Sequence, residues 1–68
     1  MAKLLSSAEV VALLLAHGFD FVSQRGSHMK YRDAHGHTAI IPAGRREMPR
    51  GTLGSIIRQS GLPKELFN

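Results

Sequence analysis

Apolar residues recur at Val10, Val11, Leu14 and Leu15, a helical rhythm that predicts a helix over Ser7–His17. Ser6 and Glu9 stand at capping-box spacing at its start, and Leu4 or Leu5 can staple the chain's approach. Gly18 supplies a left-handed stop. Apart from Glu9 the outer side of this helix carries almost no charge, which leaves Ala12 and Leu13 exposed or covered by something else. The period then switches from 3.6 to two. Phe19–Gln24 reads as a strand with Phe19 and Phe21 on one face, and Arg25-Gly26 as a turn leading at once into a second strand, His28–Arg32. The two form an antiparallel hairpin. Ala34–His37 is a second turn, and Thr38–Ile41 is a third strand ended by Pro42, which cannot donate to a ladder. After an Arg-containing loop, Ala43–Pro49, a second helix is predicted over about Arg50–Ser60. Pro49 suits its first turn; Leu53, Ile56, Ile57 and Ser60 make its inner stripe, with Arg58 and Gln59 facing out. Gly61 and Pro63 stop it, and Leu66 and Phe67 fold back as an apolar latch.

Helix, three antiparallel strands, helix is an α+β order. Both helices are expected on one face of the three-stranded sheet, giving a two-layer domain whose other sheet face is open. This is also the topology of double-stranded-RNA-binding domains. The 68 residues are expected to make a single domain, 1–68, without repeats or linkers. A chain of this length buries only about 60% of its unfolded surface. There is no cysteine, so disulfides and thiolate metal sites are excluded, and a cytoplasmic location fits. No apolar run approaches the ~20 residues of a membrane span, and the N-terminal stretch makes a poor signal peptide. The net charge of +4 and a pI near 10.4 favour an anionic partner: nucleic acid, an acidic protein, or both.

The chemistry concentrates in Gln24-Arg25-Gly26-Ser27-His28-Met29-Lys30-Tyr31-Arg32. In a strand His28, Lys30 and Arg32 fall on one face, Met29 and Tyr31 on the other. The first face shows solvent an imidazole and two cations. RNA is cleaved when its 2′-hydroxyl attacks the adjacent phosphorus; an imidazole can move the proton, and cations can hold the phosphate. An exposed strand histidine whose neighbours merely bind phosphate is the alternative, and the residues by themselves leave both open. Arg45, Arg46 and Arg50, ahead of the second helix, read equally as a solvated loop or as a grip on RNA phosphates. His35 and His37 flank Gly36 without a third ligand, the pattern of a polar turn rather than a metal site. His17, at a helix end, takes no function. Met29, Tyr31, Phe19 and Phe21 are expected in the core. Gly51-Thr52-Leu53 lacks the lysine and spacing of a nucleotide-phosphate loop, so nucleotide binding is rejected.

From the first helix through Gly18-Phe19, Gly26-Ser27-His28, Ile41-Pro42, Glu47-Met48 and Gly51-Thr52-Leu53 to Leu66-Phe67, the chain resembles the HicA toxins of bacterial toxin-antitoxin pairs, which cleave messenger RNA. The resemblance covers nearly the whole chain. It implies a double-stranded-RNA-binding-like fold, His28 as the catalytic residue, no metal or other cofactor, and a HicB-type antitoxin that neutralises the toxin. RNA contacts are expected from Arg25, Ser27, Lys30, Arg32, Arg45, Arg46 and Arg50. One departure matters: such toxins often have a second histidine two residues after the proline of the third strand, and here that position is Gly44. A helper role for it does not carry over. Two other functions remain beside the ribonuclease: an RNA-binding module without catalysis, for which the cations suffice, and a basic subunit that docks an acidic protein.

Overall fold

The computed structural model describes residues 4–68. Its elements are α1 (Ser7–Ala16), β1 (Asp20–Arg25), β2 (His28–Arg32), β3 (Thr38–Pro42), α2 (Arg50–Ser60) and a short 3-10 helix, Lys64–Phe67. The strands form one antiparallel sheet in the order β1-β2-β3. Val10 and Leu14 of α1 and Ile56 of α2 share a single core with Tyr31, Ala39 and Ile41, so both helices lie on the same sheet face. The α+β reading therefore holds, and the opposite face is open.

Local chemistry explains where the elements begin and end. Ser6 and Glu9 close the expected capping box, Glu9 N–H donating to Ser6 Oγ at 3.1 Å and Ser6 N–H to Glu9 Oε1 at 2.9 Å. At the other end of α1, His17 is the cap residue rather than the last helical one, and its ring Nδ1 donates to the Leu13 carbonyl at 2.8 Å. Gly61 ends α2 with φ 70°, the left-handed stop that proline and glycine placement implied. The latch is present too, with Phe67 buried and Leu66 half-buried.

Three expectations need correction. Leu15 is 52% exposed, because Ser7, Val10 and Leu14 define the buried stripe and Leu15 lies a further step of about 100° around the helix. Leu13, on the nearer side, instead lines a groove with Leu5 and Leu66. Phe21 is not core but 53% exposed. The helices sit mainly over β3, and every residue of β1 is exposed. Phe21 keeps one edge-on ring contact, 5.6 Å from Tyr31. Finally, β1 starts at Asp20, since the Phe19 N–H is taken by the Leu14 carbonyl at 2.9 Å, and it carries a bulge at Val22.

One side chain joins the two layers at the sheet's far rim. Ser7 Oγ donates to the Pro42 carbonyl and accepts the Arg45 N–H at 3.0 Å, while the Ser7 N–H donates to the Arg45 carbonyl at 2.9 Å. The loop after β3 is thereby fastened to the start of α1, and Met48, whose N–H donates to Leu5 at 2.7 Å, is carried fully into the core. Further along the same rim the Ile40 N–H donates to the side chain of Gln59 at 3.0 Å.

Replacing Ser7 by alanine strands an amide and a carbonyl at a buried point. We expect Ser7→Ala to lower unfolding free energy by about 1–3 kcal/mol in urea denaturation. A loss under about 0.5 kcal/mol, the range of an ordinary surface substitution, would show that the clasp is dispensable.

Candidate active site

The hairpin that presents His28 turns on Gly26 and Ser27. Gly26 has φ 58° and, among the described residues, only glycines have a positive φ, so only the first central position is left-handed, the pattern of a type II′ turn. Gln24 Nε2 donates to the Gly26 carbonyl at 2.9 Å and the Ala43 N–H to the Ser27 carbonyl at 2.6 Å, bracing the turn on both sides. This two-residue turn sets the register. Arg25 pairs with His28, Ser23 with Lys30 and Asp20 with Arg32. On the other side of β2, His28 pairs with Pro42, Lys30 with Ile40 and Arg32 with Thr38. Paired residues share a face. The open face is therefore three rows: Arg25-His28-Pro42, Ser23-Lys30-Ile40 and Asp20-Arg32-Thr38.

The first two rows enclose a pocket of about 260 Å³ lined by Ser23, Arg25, His28, Lys30 and Ile40. His28 and Arg25 are exposed and Lys30 half-buried, with Met29 and Tyr31 turned to the helices. An imidazole and two cations thus converge on one recess. Arg32 stands in the third row, about 13 Å along β2 from His28 at strand spacing. Its Nε donates to Thr38 Oγ1 at 3.2 Å, and the acidic Asp20 pairs with it across the ladder. Ser27 sits exposed in the turn beside His28.

Arg45 and Arg46 follow Pro42 at the His28 end of the sheet, with exposed side chains. Arg50 is elsewhere: with Lys64 it borders a separate cleft of about 310 Å³ floored by Leu53, Ile57 and Phe67. Ser23 and Ile40 escaped the sequence reading. For Ser23 the signal was present, because counting back from a two-residue turn puts it opposite Lys30. Ile40 depended on the longer turn at residues 33–37, whose geometry the residue types alone do not state.

A family model described as HicA toxin of bacterial toxin-antitoxin matches residues 7–62. No curated protein matches the chain.

The turn between β2 and β3 is organised by a carboxylate. Asp33 Oδ1 accepts the backbone N–H groups of His35 at 3.0 Å and His37 at 2.7 Å, and Oδ2 accepts Nδ1–H of the His37 ring at 2.8 Å. Among the described residues no three acidic or histidine side chains converge as metal ligands, and the His35 and His37 rings meet edge-on, 6.4 Å apart. Desolvation pushes the Asp33 carboxyl up, but the ring and backbone bonds from His37 and His35 outweigh it and hold Asp33 below the ordinary 3.8. A depressed carboxyl stabilises the fold fully above its unfolded value, and that contribution fades as pH falls through the folded one. Asp33→Asn is therefore expected to unfold at lower urea than the native chain at pH 7. The gap between the two should narrow once the pH drops below about 4. A gap independent of pH would assign the difference to something other than the carboxylate.

Proposed function

The chain belongs to the HicA toxin family of bacterial toxin-antitoxin systems, and from that premise we propose that it is a metal-independent endoribonuclease that cleaves messenger RNA through His28. The observation that carries the reading is the open-face pocket, in which one imidazole stands between Arg25 and Lys30. An RNA phosphate seated there lies against both cations. The His28 ring takes the proton of the 2′-hydroxyl as that oxygen bonds to phosphorus, and the bond from phosphorus to the 5′-oxygen breaks. The departing oxygen takes a proton from the imidazolium or from water, leaving a 2′,3′-cyclic phosphate and a 5′-hydroxyl. Arg25 and Lys30 stabilise the charge that gathers on the phosphoryl oxygens. A single acid-base group supplies about 10²–10⁴-fold, so the enzyme is slow. A toxin tolerates this, since one cut destroys a message.

The toxin's partner is an antitoxin, which we take to be of the HicB type. The simplest neutralisation is a lid of acidic or hydrogen-bonding groups over His28 together with some of Arg25, Lys30, Arg32 and Arg45. Arg46 and Ser27 extend the RNA contacts beyond the pocket, whereas Arg50, at the cleft beside Lys64, stands apart from them. Opposite charge on the two partners makes their association faster at low salt; a rate unaffected by salt would argue against a charged lid.

Rate and affinity come from different groups. His28→Ala is expected to lower cleavage of labelled RNA by at least about 10²-fold while keeping most of the affinity. Lys30→Ala should weaken binding and rate together. DNA of the same sequence, or RNA methylated at the 2′-oxygen, should bind and stay intact, and chelator should change nothing. Undiminished cutting by His28→Ala, or activity lost with chelator, overturns the mechanism. Binding without any cutting by the native chain identifies it as an RNA-binding module.

A further inference from the structure

The pocket has a feature that gripping phosphate does not require. Its wall on β3 is Ile40, a branched apolar side chain on the open face and half-buried there. The core makes no demand for it, because Ala39 and Ile41, the β3 residues turned to the helices, are the fully buried ones. Pro42 continues the same side of β3 and is also half-buried. The open face is thus divided lengthwise. Arg25, His28 and Lys30 occupy β1 and β2, and an apolar strip of Ile40 and Pro42 runs along β3, one strand spacing of about 4.8 Å from His28 and Lys30.

We propose that this pocket is the seat of one unpaired nucleotide, with its phosphate over Lys30 and Arg25 and the flat of its base or ribose on Ile40; the substrate is accordingly single-stranded RNA. The proposal rests on the reading of the site as an RNA site. Paired bases have both faces covered by their neighbours and offer only edges in the grooves, so an apolar floor inside a recess is accessible only to a base out of the stack. Unstacked bases are the usual targets of sequence-tolerant strand binding, where an apolar or aromatic surface takes the base and cations take the backbone. The chemistry points the same way. Attack requires the 2′-oxygen, phosphorus and 5′-oxygen to line up, which a regular duplex backbone prevents and a free nucleotide permits. Although the fold is shared with readers of duplex RNA, those cross two successive minor grooves over about 16 base pairs. The pocket here is sized for a single residue.

Binding separates this from the catalytic claim. With His28→Ala protein, so that RNA stays intact, the fluorescence anisotropy of a short labelled oligoribonucleotide is followed alone and annealed to its complement, at one fixed salt concentration. The single strand is expected to bind at least about tenfold more tightly, despite the greater charge density of the duplex. Adding Ile40→Ala should cost the single strand about fivefold and leave the duplex unchanged, and Ile40→Phe should tighten the single strand. Urea denaturation of both variants confirms that the fold is kept. Equal or tighter duplex binding, or a strand preference indifferent to both Ile40 variants, overturns the proposal. Cleavage by the native chain is scored separately. A strand preference without cutting sinks the ribonuclease reading and leaves the seat standing. Cutting of single strand and duplex alike, dependent on His28, does the reverse.

Discussion

A single hydroxyl, that of Ser7, holds together the pieces of chain from which the site is assembled. The capping box at Ser6 and Glu9 already serves the first amides of α1, so the Ser7 side chain is free to reach out of its own helix. It meets the last carbonyl of β3 and the amide of Arg45, the first arginine of the loop that follows. Pro42 is the residue paired with His28, and Ala43 is bonded to the His28 turn through Ser27. The position of α1 is thereby tied, through two backbone groups, to the strand that walls the pocket. A domain this small buries little surface in total, so a satisfied polar contact between layers counts for more than it would in a larger protein.

What was legible in the sequence was what local chemistry decides. Proline before α2 restricts φ there and glycine after it admits the left-handed stop, so Arg50–Ser60 could be read without knowing what it packs on. The strand period of two put His28 and Lys30 on one face and Met29 and Tyr31 on the other, as the register has them. What was not legible depends on which layer covers which strand. Phe21 has the same alternation as Phe19, yet one is exposed and the other buried because the helices sit over β3. Leu15 fails for the same reason: period alone gives a stripe but not its centre. Arg50 stands close to Arg45 and Arg46 in sequence, whereas the loop carries it to the cleft beside Lys64.

The pocket contains one imidazole among its lining residues, and the backbone bears on why. At the position where related toxins often have a second histidine, Gly44 has φ 76°, a left-handed conformation that glycine adopts freely and a histidine adopts only under strain. A side chain there would meet no neighbouring atom within 4 Å, so the cost of a helper ring lies in the backbone conformation alone. In this chain the loop contributes a tight fastening to Ser7 and the flanking arginines.

The bulge at Val22 matters beyond the hairpin that contains it. The two rims of the sheet are unequal: on β3 the Ile40 amide and the Pro42 carbonyl are occupied by Gln59 and Ser7, while β1 is bare and displays Phe21 and Val22. Such a rim would ordinarily be a template for another copy of the same chain, adding strand upon strand into a ribbon. The extra residue at Val22 breaks the spacing halfway along β1, so an incoming straight strand can match the ladder on one side of it and not on the other. An irregularity of one residue thus guards the uncovered edge of the sheet against fibrous aggregation.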